Sequence, residues 1–169
     1  MAYSGKYIVK HRSKYAGNPD KVVYRSMWER HAFAWCDNNT NIKSWQSEET
    51  VIPYYYDVDK KYHRYFMDLK ITFNDGKTIL VEIKPEKETM PPKRPDKTKR
   101  YLNESLTYVK NMNKWKAASS YAKDRGWAFQ IWTEKTLNDM GIMPTQSKKG
   151  ALKPLKPMKP YRKKAKPKK

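Results

Sequence analysis

The chain has 169 residues, 38% of them hydrophobic, which is enough for one domain with a core of ordinary size. Its formal net charge of +20, from 37 basic and 17 acidic residues, favours a polyanionic partner, and nucleic acid is the most common one. No apolar run approaches the length of a membrane span, a single cysteine excludes an internal disulfide framework, and no Gly-rich phosphate loop is present. We therefore expect neither membrane insertion nor a bound nucleotide cofactor.

The basic residues are concentrated in the last part of the chain but are not confined to it. Residues 144–169 contain eleven Lys or Arg and no acid, with Lys-Pro pairs that repeat every three residues. We interpret this segment as a Lys/Pro-rich flexible tail that binds the DNA backbone, and a docking peptide for a protein partner is the alternative. Residues 1–143 still hold 26 basic and 17 acidic residues, a net charge of +9. DNA binding is therefore expected of the folded part as well.

The first half of the chain predicts an arm, a helix and an extended segment, in that order. Residues 1–24 are basic and aromatic with little periodicity, and we interpret them as an N-terminal arm. The stretch YRSMWERHAFAWCDNN predicts a helix, in which Ser26 and Glu29 form a capping-box pattern and Cys36 is a small core residue. The stretch IKSWQSEETVIPYYYDV is rich in strand-forming residues.

The second half predicts a hairpin over RYFMDLKITFNDGKTILVEIKP, then the proline-rich basic loop PEKETMPPKRPDKTKR. The longest helix follows over YLNESLTYVKNMNKWKAASSYAKDR, with Gly126 as its C-terminal cap, and WAFQIWT predicts the final strand before a short helix closed by Gly141. This order predicts an α/β domain over residues 25–143, with a small mixed sheet flanked by helices. The expected buried stripe of the long helix is Leu102, Leu106, Val109, Asn113 and Ala117.

The register of the hairpin decides which of its side chains meet. If residues 74–76 are a three-residue loop, Gly76 takes the positive φ and paired positions sum to 150, so that Met67 faces Ile83. A two-residue loop would instead place charged residues among the apolar ones. The three-residue loop gives one wholly apolar face, formed by Met67, Leu69, Ile71, Ile79, Val81 and Ile83.

On the other face of this hairpin Asp68 lies directly opposite Glu82, with Lys84 two residues further along. Directly opposite side chains have Cβ atoms about 5 Å apart, and two carboxylates at that distance repel each other. On an ordinary solvent-facing hairpin, Lys70 and Lys84 would compensate this repulsion as surface neighbours. A divalent cation such as Mg²⁺, which prefers hard oxygen ligands, is the other interpretation. The residues alone leave both open.

Five short stretches occur in a fixed order along the chain: YRSMWE, SEETVIPY, RYFMD, VEIKP and RGWAFQIWTE. Together they resemble the PD-(D/E)XK nuclease superfamily, in the branch of the TnsA-type transposon endonucleases, and within it the head completion nucleases of T4-like bacteriophages. The resemblance covers residues 1–143 and implies a restriction-endonuclease-like core. One departure is Met67, which stands where the family pattern has a proline before the first aspartate.

This resemblance implies a metal-dependent endodeoxyribonuclease and assigns roles to particular residues. Asp68 and Glu82 match the carboxylates that hold the catalytic Mg²⁺, for which Mn²⁺ can substitute, and Lys84 matches the motif lysine. Glu29 matches an additional acid supplied by the first helix, as a catalytic and metal-binding residue. Its alternative role is to cap that helix together with Ser26. Gln130, on the neighbouring strand, is a further candidate for lining the site.

The basic loop leaves the strand of the motif directly, so we expect it to follow the DNA backbone, and a merely solvated loop is the alternative. Its candidate contacts are Lys93, Arg94, Lys97, Lys99 and Arg100.

The resemblance implies a role in phage head completion, in which DNA at the packaged head is processed before the neck and tail join. DNA and the portal or neck proteins would be its partners, first in the host cytoplasm and then in the head or neck of the virion. The first alternative is a non-catalytic, DNA-binding structural head protein that retains the nuclease fold. The second is a basic nucleic-acid-binding protein whose hairpin has no catalytic role.

Overall fold

The computed structural model describes residues 3–93 and 97–143, so the predictions for Arg94 and for the tail at 144–169 lie outside the described residues. Short 3-10 turns occur at Arg12–Lys14, Pro19–Lys21 and Glu86–Thr89. The regular elements are, in chain order, β1 (Gly5–Lys6), β2 (Val23–Tyr24), α1 (Met27–Asn38), β3 (Ile42–Gln46), β4 (Val51–Tyr56), β5 (Lys61–Phe66), β6 (Leu69–Phe73), β7 (Thr78–Ile83), α2 (Lys99–Asp124), β8 (Ala128–Trp132) and α3 (Glu134–Asp139).

The centre of the fold is a four-stranded mixed sheet with the order β3-β6-β7-β8. The pairs β3–β6 and β6–β7 are antiparallel, whereas β7–β8 is parallel because α2 connects the two strands. A first core cluster joins one face of the sheet to α1 and α3, through residues such as Phe33, Val81 and Leu137. A second cluster joins the other face to α2, through Leu80 and Ala118. The predicted mixed sheet flanked by helices is confirmed.

Helix α1 begins at its cap and holds the N-terminal segment against the core. Ser26 Oγ accepts the Glu29 N–H at 3.1 Å, as its capping pattern predicts. Near the end of α1 the carboxylate of Asp37 is fully buried and accepts the backbone N–H groups of Lys10 at 2.7 Å and His11 at 3.0 Å. These bonds satisfy a buried charge, so residues 3–24 are packed onto α1 rather than detached from it.

The β6–β7 hairpin has the predicted three-residue loop. Leu69 pairs with Val81 and Ile71 with Ile79, and Gly76 has a φ of +87°. The paired ladder ends at Leu69, however, so the predicted pair of Met67 with Ile83 is wrong. Met67 instead donates its N–H to the carbonyl of Thr50 at 2.9 Å and packs in the second core cluster. The ladder therefore stops two residues short of the predicted pair.

The β6–β7 ladder ends early because the preceding residues belong to a second hairpin, which was not predicted from the sequence. Strands β4 and β5 form their own two-stranded antiparallel sheet, with Val51 opposite Phe66 and Tyr56 opposite Lys61. One face of this sheet packs on α2 through alternating side chains that include Ile52 and Tyr65. What looked like one long strand is therefore two strands in different sheets, and Met67 and Asp68 form the junction between them.

Helix α2 is oriented differently from the prediction. Leu102, which was expected in the buried stripe, is 57% exposed. Other residues of the first turns of α2 line a cavity of about 880 Å³ together with the segment 86–93. The C-terminal part of the helix covers the sheet, and Gly126, with a φ of +70°, ends it as predicted. No helix in the described ranges is long and apolar enough to cross a bilayer. The fully buried residues of α2 are Asn111, Trp115, Ala118 and Ala122.

Candidate active site

Asp68 lies at the junction between β5 and β6, next to the end of β7. Its Oδ2 atom accepts the backbone N–H of Ile83 at 2.8 Å. That N–H is free to bind a side chain because the β6–β7 ladder has already ended at Val81. Because β6 begins only at Leu69, the Ile83 N–H binds the Asp68 carboxylate instead of a backbone carbonyl of β6. This bond holds Asp68 on β7 beside Glu82.

Glu82 is almost completely buried, with 3% of the residue exposed, and so is its neighbour Leu80 on the same face. The hydroxyl of Tyr65 donates to Glu82 Oε2 at 2.6 Å, and Lys84 Nζ lies 3.5 Å from Glu82 Oε1. The solvent-facing hairpin that was one interpretation of the sequence is therefore wrong, because the second sheet and α2 cover this face. A buried carboxylate needs compensation that a surface carboxylate does not.

The electrostatics of the pair follow from this burial. Burial and the negative charge of Glu82 raise the pKa of Asp68 well above its ordinary value, although the Ile83 N–H and Lys84 oppose the shift. Both effects disfavour the ionised form, since desolvation and a like charge each cost free energy. Lys84 therefore does not fully offset the burial of Asp68 and its repulsion by Glu82.

A second lysine, which the sequence analysis missed, approaches the pair from α2. Lys114 is half-buried, with its Nζ 5.0 Å from the centre of the Tyr65 ring. Burial lowers the pKa of Lys114, and the carboxylates of Glu82 and Asp68 act in the opposite direction. Nothing in the helical periodicity distinguished Lys114 from the exposed lysines of α2.

Glu29 combines features of both of its predicted roles. Its N–H is bound by Ser26, while its Oε2 accepts the N–H of Arg25 at 2.7 Å and its Oε1 lies 3.4 Å from Ser26 Oγ. At the same time its negative charge contributes to the raised pKa of Asp68, and burial raises the pKa of Glu29 itself. The carboxylate is therefore a helix cap at the edge of the candidate site.

The rim of the site contains an ion pair that was not anticipated. The Arg25 guanidinium binds Glu48 through two bonds, of 2.8 Å from Nε and 3.0 Å from Nη2. Glu48 has a φ of +55°, in the left-handed region that a glutamate seldom adopts, and its N–H donates to the carbonyl of Met67 at 3.0 Å. The conformation of Glu48 thus supports the junction that holds Asp68. Its only signal in the sequence was its place in SEETVIPY.

Gln130 does not line this site. It pairs in register with Val81, whereas the neighbour of Glu82 on β8 is Ile131. Alternate residues of a strand point to opposite faces, so Gln130 lies on the face opposite to Glu82. There its Oε1 accepts the indole N–H of Trp132 at 3.0 Å.

The predicted DNA contacts lie on the segment after β7 and on the start of α2. Lys93, Lys97 and Lys99 are exposed, and Arg100 is exposed but bound to Glu104 at 2.9 Å. The cavity beside this segment contains both signs of charge, with Glu86 and Glu104 as well as basic residues in its lining. Neither Asp68 nor Glu82 lines it. The cavity is therefore separate from the candidate active site.

The model for the N-terminal domain of TnsA-like endonucleases matches residues 39–134, a range that contains Asp68, Glu82 and Lys84. This chain belongs to the TnsA-like endonuclease family. The head completion nuclease of Enterobacteria phage T4 is 47% identical to it over 147 residues, which cover 84% of this chain and 98% of that relative. Both matches are to nucleases, and they confirm the resemblance and the restriction-endonuclease-like fold inferred from the sequence.

The donor set of this TnsA-like endonuclease suits Mg²⁺ in one specific way. Among residues 3–93 and 97–143, no group of three or more Asp, Glu, His or Cys side chains could by itself hold a metal ion. Mg²⁺, however, is commonly bound by one or two carboxylates together with water and substrate phosphates, rather than by a complete protein cage. The pair formed by the buried Glu82 and the half-buried Asp68 fits that pattern.

Proposed function

We propose that this TnsA-like endonuclease is a Mg²⁺-dependent enzyme that hydrolyses phosphodiester bonds in DNA, and that Mn²⁺ can replace Mg²⁺. In this proposal Asp68 and Glu82 hold the ion, Glu29 assists them from α1, and Lys84 completes the catalytic set. The observation that carries it is the pair of carboxylates formed by the buried Glu82 and the half-buried Asp68, with Lys84 beside Glu82. Such an arrangement is costly for stability without a ligand, and costly arrangements of titratable groups are concentrated at functional sites.

Tyr65, Ile83 and Lys84 have different roles around the two carboxylates. Tyr65 and the N–H of Ile83 each bind one oxygen of a carboxylate, and so fix the orientation of Glu82 and Asp68. The Lys84 side chain is 27% exposed, against 4% for that of Glu82, so its ammonium is placed between the buried pair and solvent. There it can stabilise negative charge on a phosphate or orient a water molecule. The bound metal would supply Lewis-acid polarisation of the phosphate and a more acidic water.

Glu29 has an auxiliary place in this proposal. Its carboxylate is tied to the backbone of Arg25 and stands beside the pair rather than within it. It acts on the ion through water, or it positions the attacking water.

The biological task is proposed from the T4 relative, whose name is head completion nuclease. The chain would process DNA at the packaged head before the neck and tail join, with DNA and the portal or neck proteins as its partners. It would act in the host cytoplasm during assembly and at the head or neck of the virion. The residues before the tail carry a net charge of +9, which suits a substrate with a negative backbone.

The second candidate function is a structural, DNA-binding head protein that retains the nuclease fold without cutting. The excess of basic residues favours it as much as it favours the enzyme. The presence of Asp68, Glu82 and Lys84 in one cluster favours the enzyme, because a purely structural protein gains nothing from two carboxylates that repel each other away from bulk water.

The decisive experiment is cleavage of linear, nicked and single-stranded-tailed DNA by the purified protein with Mg²⁺, with Mn²⁺ and with a chelator. Asp68→Ala and Lys84→Ala should abolish metal-dependent cutting and leave DNA binding intact. Matched controls are Asp124→Ala and Lys77→Ala, both at exposed positions away from the site, and these should cut normally. Cutting that survives Asp68→Ala would reject the assignment of the site. Binding without cutting by every preparation would favour the structural protein.

A further inference from the structure

The β4–β5 hairpin has one face that is covered by α2 and one face that nothing in the described chain covers. Every residue of the uncovered face is exposed. We call it the open face, and it consists of Val51, Pro53, Tyr55, Tyr62, Arg64 and Phe66.

Aromatic rings and a guanidinium are ordered on the open face by cross-strand pairing. Tyr55 lies opposite Tyr62, with ring centres 5.3 Å apart, and Tyr62 is 75% exposed. The Arg64 guanidinium carbon lies 5.7 Å from the centre of the Phe66 ring, which belongs to a residue that is 45% exposed. Three rings and a planar cation are thus presented to solvent along a rigid ribbon, where an ordinary surface would carry polar residues.

The charges of the hairpin are segregated between its faces. Its two acids, Asp57 and Asp59, lie in the turn and are bound by residues outside the open face. Asp57 accepts a 2.7 Å bond from Asn113 of α2, and Asp59 is bonded at 2.7 Å to His63. The open face itself carries Arg64 and no carboxylate. Its charge is therefore complementary to a polyanion and unsuited to a basic ligand.

The end of the open face is close in the chain to Asp68 of the candidate active site. Phe66 is separated from Asp68 by one residue, and two residues of chain span at most about 7 Å. A strand of nucleic acid that stacks on Phe66 would therefore lie close to the chain segment that carries Asp68.

We propose that the open face is a stacking platform for unpaired bases of single-stranded DNA next to the cleavage site. This inference rests on the proposed function and adds a substrate class to it, namely DNA with a single-stranded segment beside the bond that is cut. Aromatic side chains stack on bases of any sequence, because every base presents a π face, and arginine adds a cation–π contribution. Bases inside a duplex already stack on each other, so the platform favours single-stranded segments over duplex DNA.

The test measures binding rather than cleavage, and it uses the full chain with Asp68→Asn so that no DNA is cut. In that background the Tyr62→Leu and Phe66→Leu double variant is compared with Tyr3→Leu, which alters a tyrosine that is 62% exposed and does not belong to the hairpin. The probes are a fluorescent twelve-nucleotide oligo-dT and a blunt duplex of the same length, followed by anisotropy at fixed salt. Far-UV circular dichroism and thermal melting confirm that each variant is folded.

The double variant is expected to lose about tenfold or more in oligo-dT affinity, because each stacked base contributes about 1–3 kcal/mol. Its duplex affinity should change less than twofold, and Tyr3→Leu should change neither. Unchanged oligo-dT binding, or an equal loss with both probes, would overturn the proposal. So would a double variant that binds oligo-dT normally but fails to bind phage head proteins, because the face would then dock protein. Since no cleavage is needed, these outcomes are independent of whether the wild type is a nuclease.

Discussion

The Tyr65 hydroxyl donates a 2.6 Å hydrogen bond to Glu82 Oε2, and this bond joins strands that belong to two different sheets. Burial and the adjacent Glu82 carboxylate raise the pKa of Tyr65, so the hydroxyl remains a donor throughout the working pH range. The bond therefore both connects β5 to β7 and fixes the orientation of a proposed metal ligand.

Replacing Tyr65 with phenylalanine tests both the structural link between the strands and the orientation of Glu82. Tyr65→Phe leaves a buried carboxylate oxygen unpaired, so we expect a loss of about 1–3 kcal/mol in the free energy of unfolding. Groups that orient metal ligands typically contribute about 10–100-fold to metal affinity or activity, and a Mg²⁺ titration of cleavage should shift to higher concentrations by that factor. Tyr3→Phe, at an exposed position outside both hairpins, is the control and should leave the titration unchanged.

Asp68→Asn should abolish cleavage and stabilise the metal-free protein. Asparagine can still accept the Ile83 N–H, while the repulsion from Glu82 and the cost of burying a charge are removed. We expect the melting temperature in chelator to rise by about 2–4 °C, the shift that about 1 kcal/mol produces in a chain of this size. A melting temperature below that of the wild type would contradict the inference that the carboxylate pair destabilises the metal-free protein.

Asp68→Asn also tests the pH dependence of the free energy of unfolding. The pKa of Asp68 is raised in the folded protein, so the folded state binds its proton more tightly than the unfolded state does. The protonated Asp68 side chain therefore contributes fully to stability below the ordinary aspartate pKa of about 4. This contribution is lost as the pH rises through the raised pKa. The stability advantage of Asp68→Asn in chelator should therefore grow between acidic and neutral pH, as thermal melts at several pH values would show.

Ser26→Ala and Glu29→Gln should distinguish the capping and catalytic roles of Glu29. The serine variant loses the cap of α1 and should cost about 0.5–2 kcal/mol without a large change in cleavage. The glutamine variant retains an acceptor for the Arg25 N–H but loses the charge beside Asp68. If Glu29 acts on the reaction, Glu29→Gln lowers the cleavage rate while stability changes little. Equal activity of the glutamine variant and the wild type would leave Glu29 with the cap alone.

Lys114→Met should weaken the enzyme by removing positive charge near the carboxylates. Methionine keeps apolar contact with the Tyr65 ring, so stability should be largely retained, whereas the proposed transition state loses a nearby cation. We expect a decrease of about tenfold or more in the cleavage rate, measured at saturating Mg²⁺. Lys116→Met, at an exposed position two residues further along α2, should behave as the wild type.

The parts of the fold that local chemistry determines could be predicted from the sequence. The turn at residues 74–76 needs a residue with positive φ, and Gly76 provides it, so the register of β6 with β7 followed. Ser26 and Gly126 mark the ends of their helices for similarly local reasons. The prediction that Asp68 and Glu82 lie side by side was a consequence of that register.

What could not be predicted depends on contacts between distant segments. The alternation of apolar residues continues through Met67, but the chain changes sheets there, so Met67 packs with Leu80 while Leu69 packs in the other cluster. A period of two in the sequence does not report which sheet a strand joins. The positions of Tyr65 and Lys114 at the site depend on how the second hairpin and α2 pack, and no local pattern specifies that packing.

The parallel pairing of β7 with β8 has a consequence for how the protein acquires its fold. Glu82 and its neighbour Ile131 are separated in the chain by the 48 residues 83–130, which include the 26 residues of α2, whereas β6 and β7 are joined by a tight turn. Local pairs form quickly and distant ones slowly, because loop closure costs entropy before the contact forms. Until β8 docks, the strand that carries Glu82 is a sheet edge with unpaired backbone groups, the kind of surface through which folding intermediates aggregate. Pulse-labelled hydrogen exchange should accordingly show protection in β6 before protection in β8.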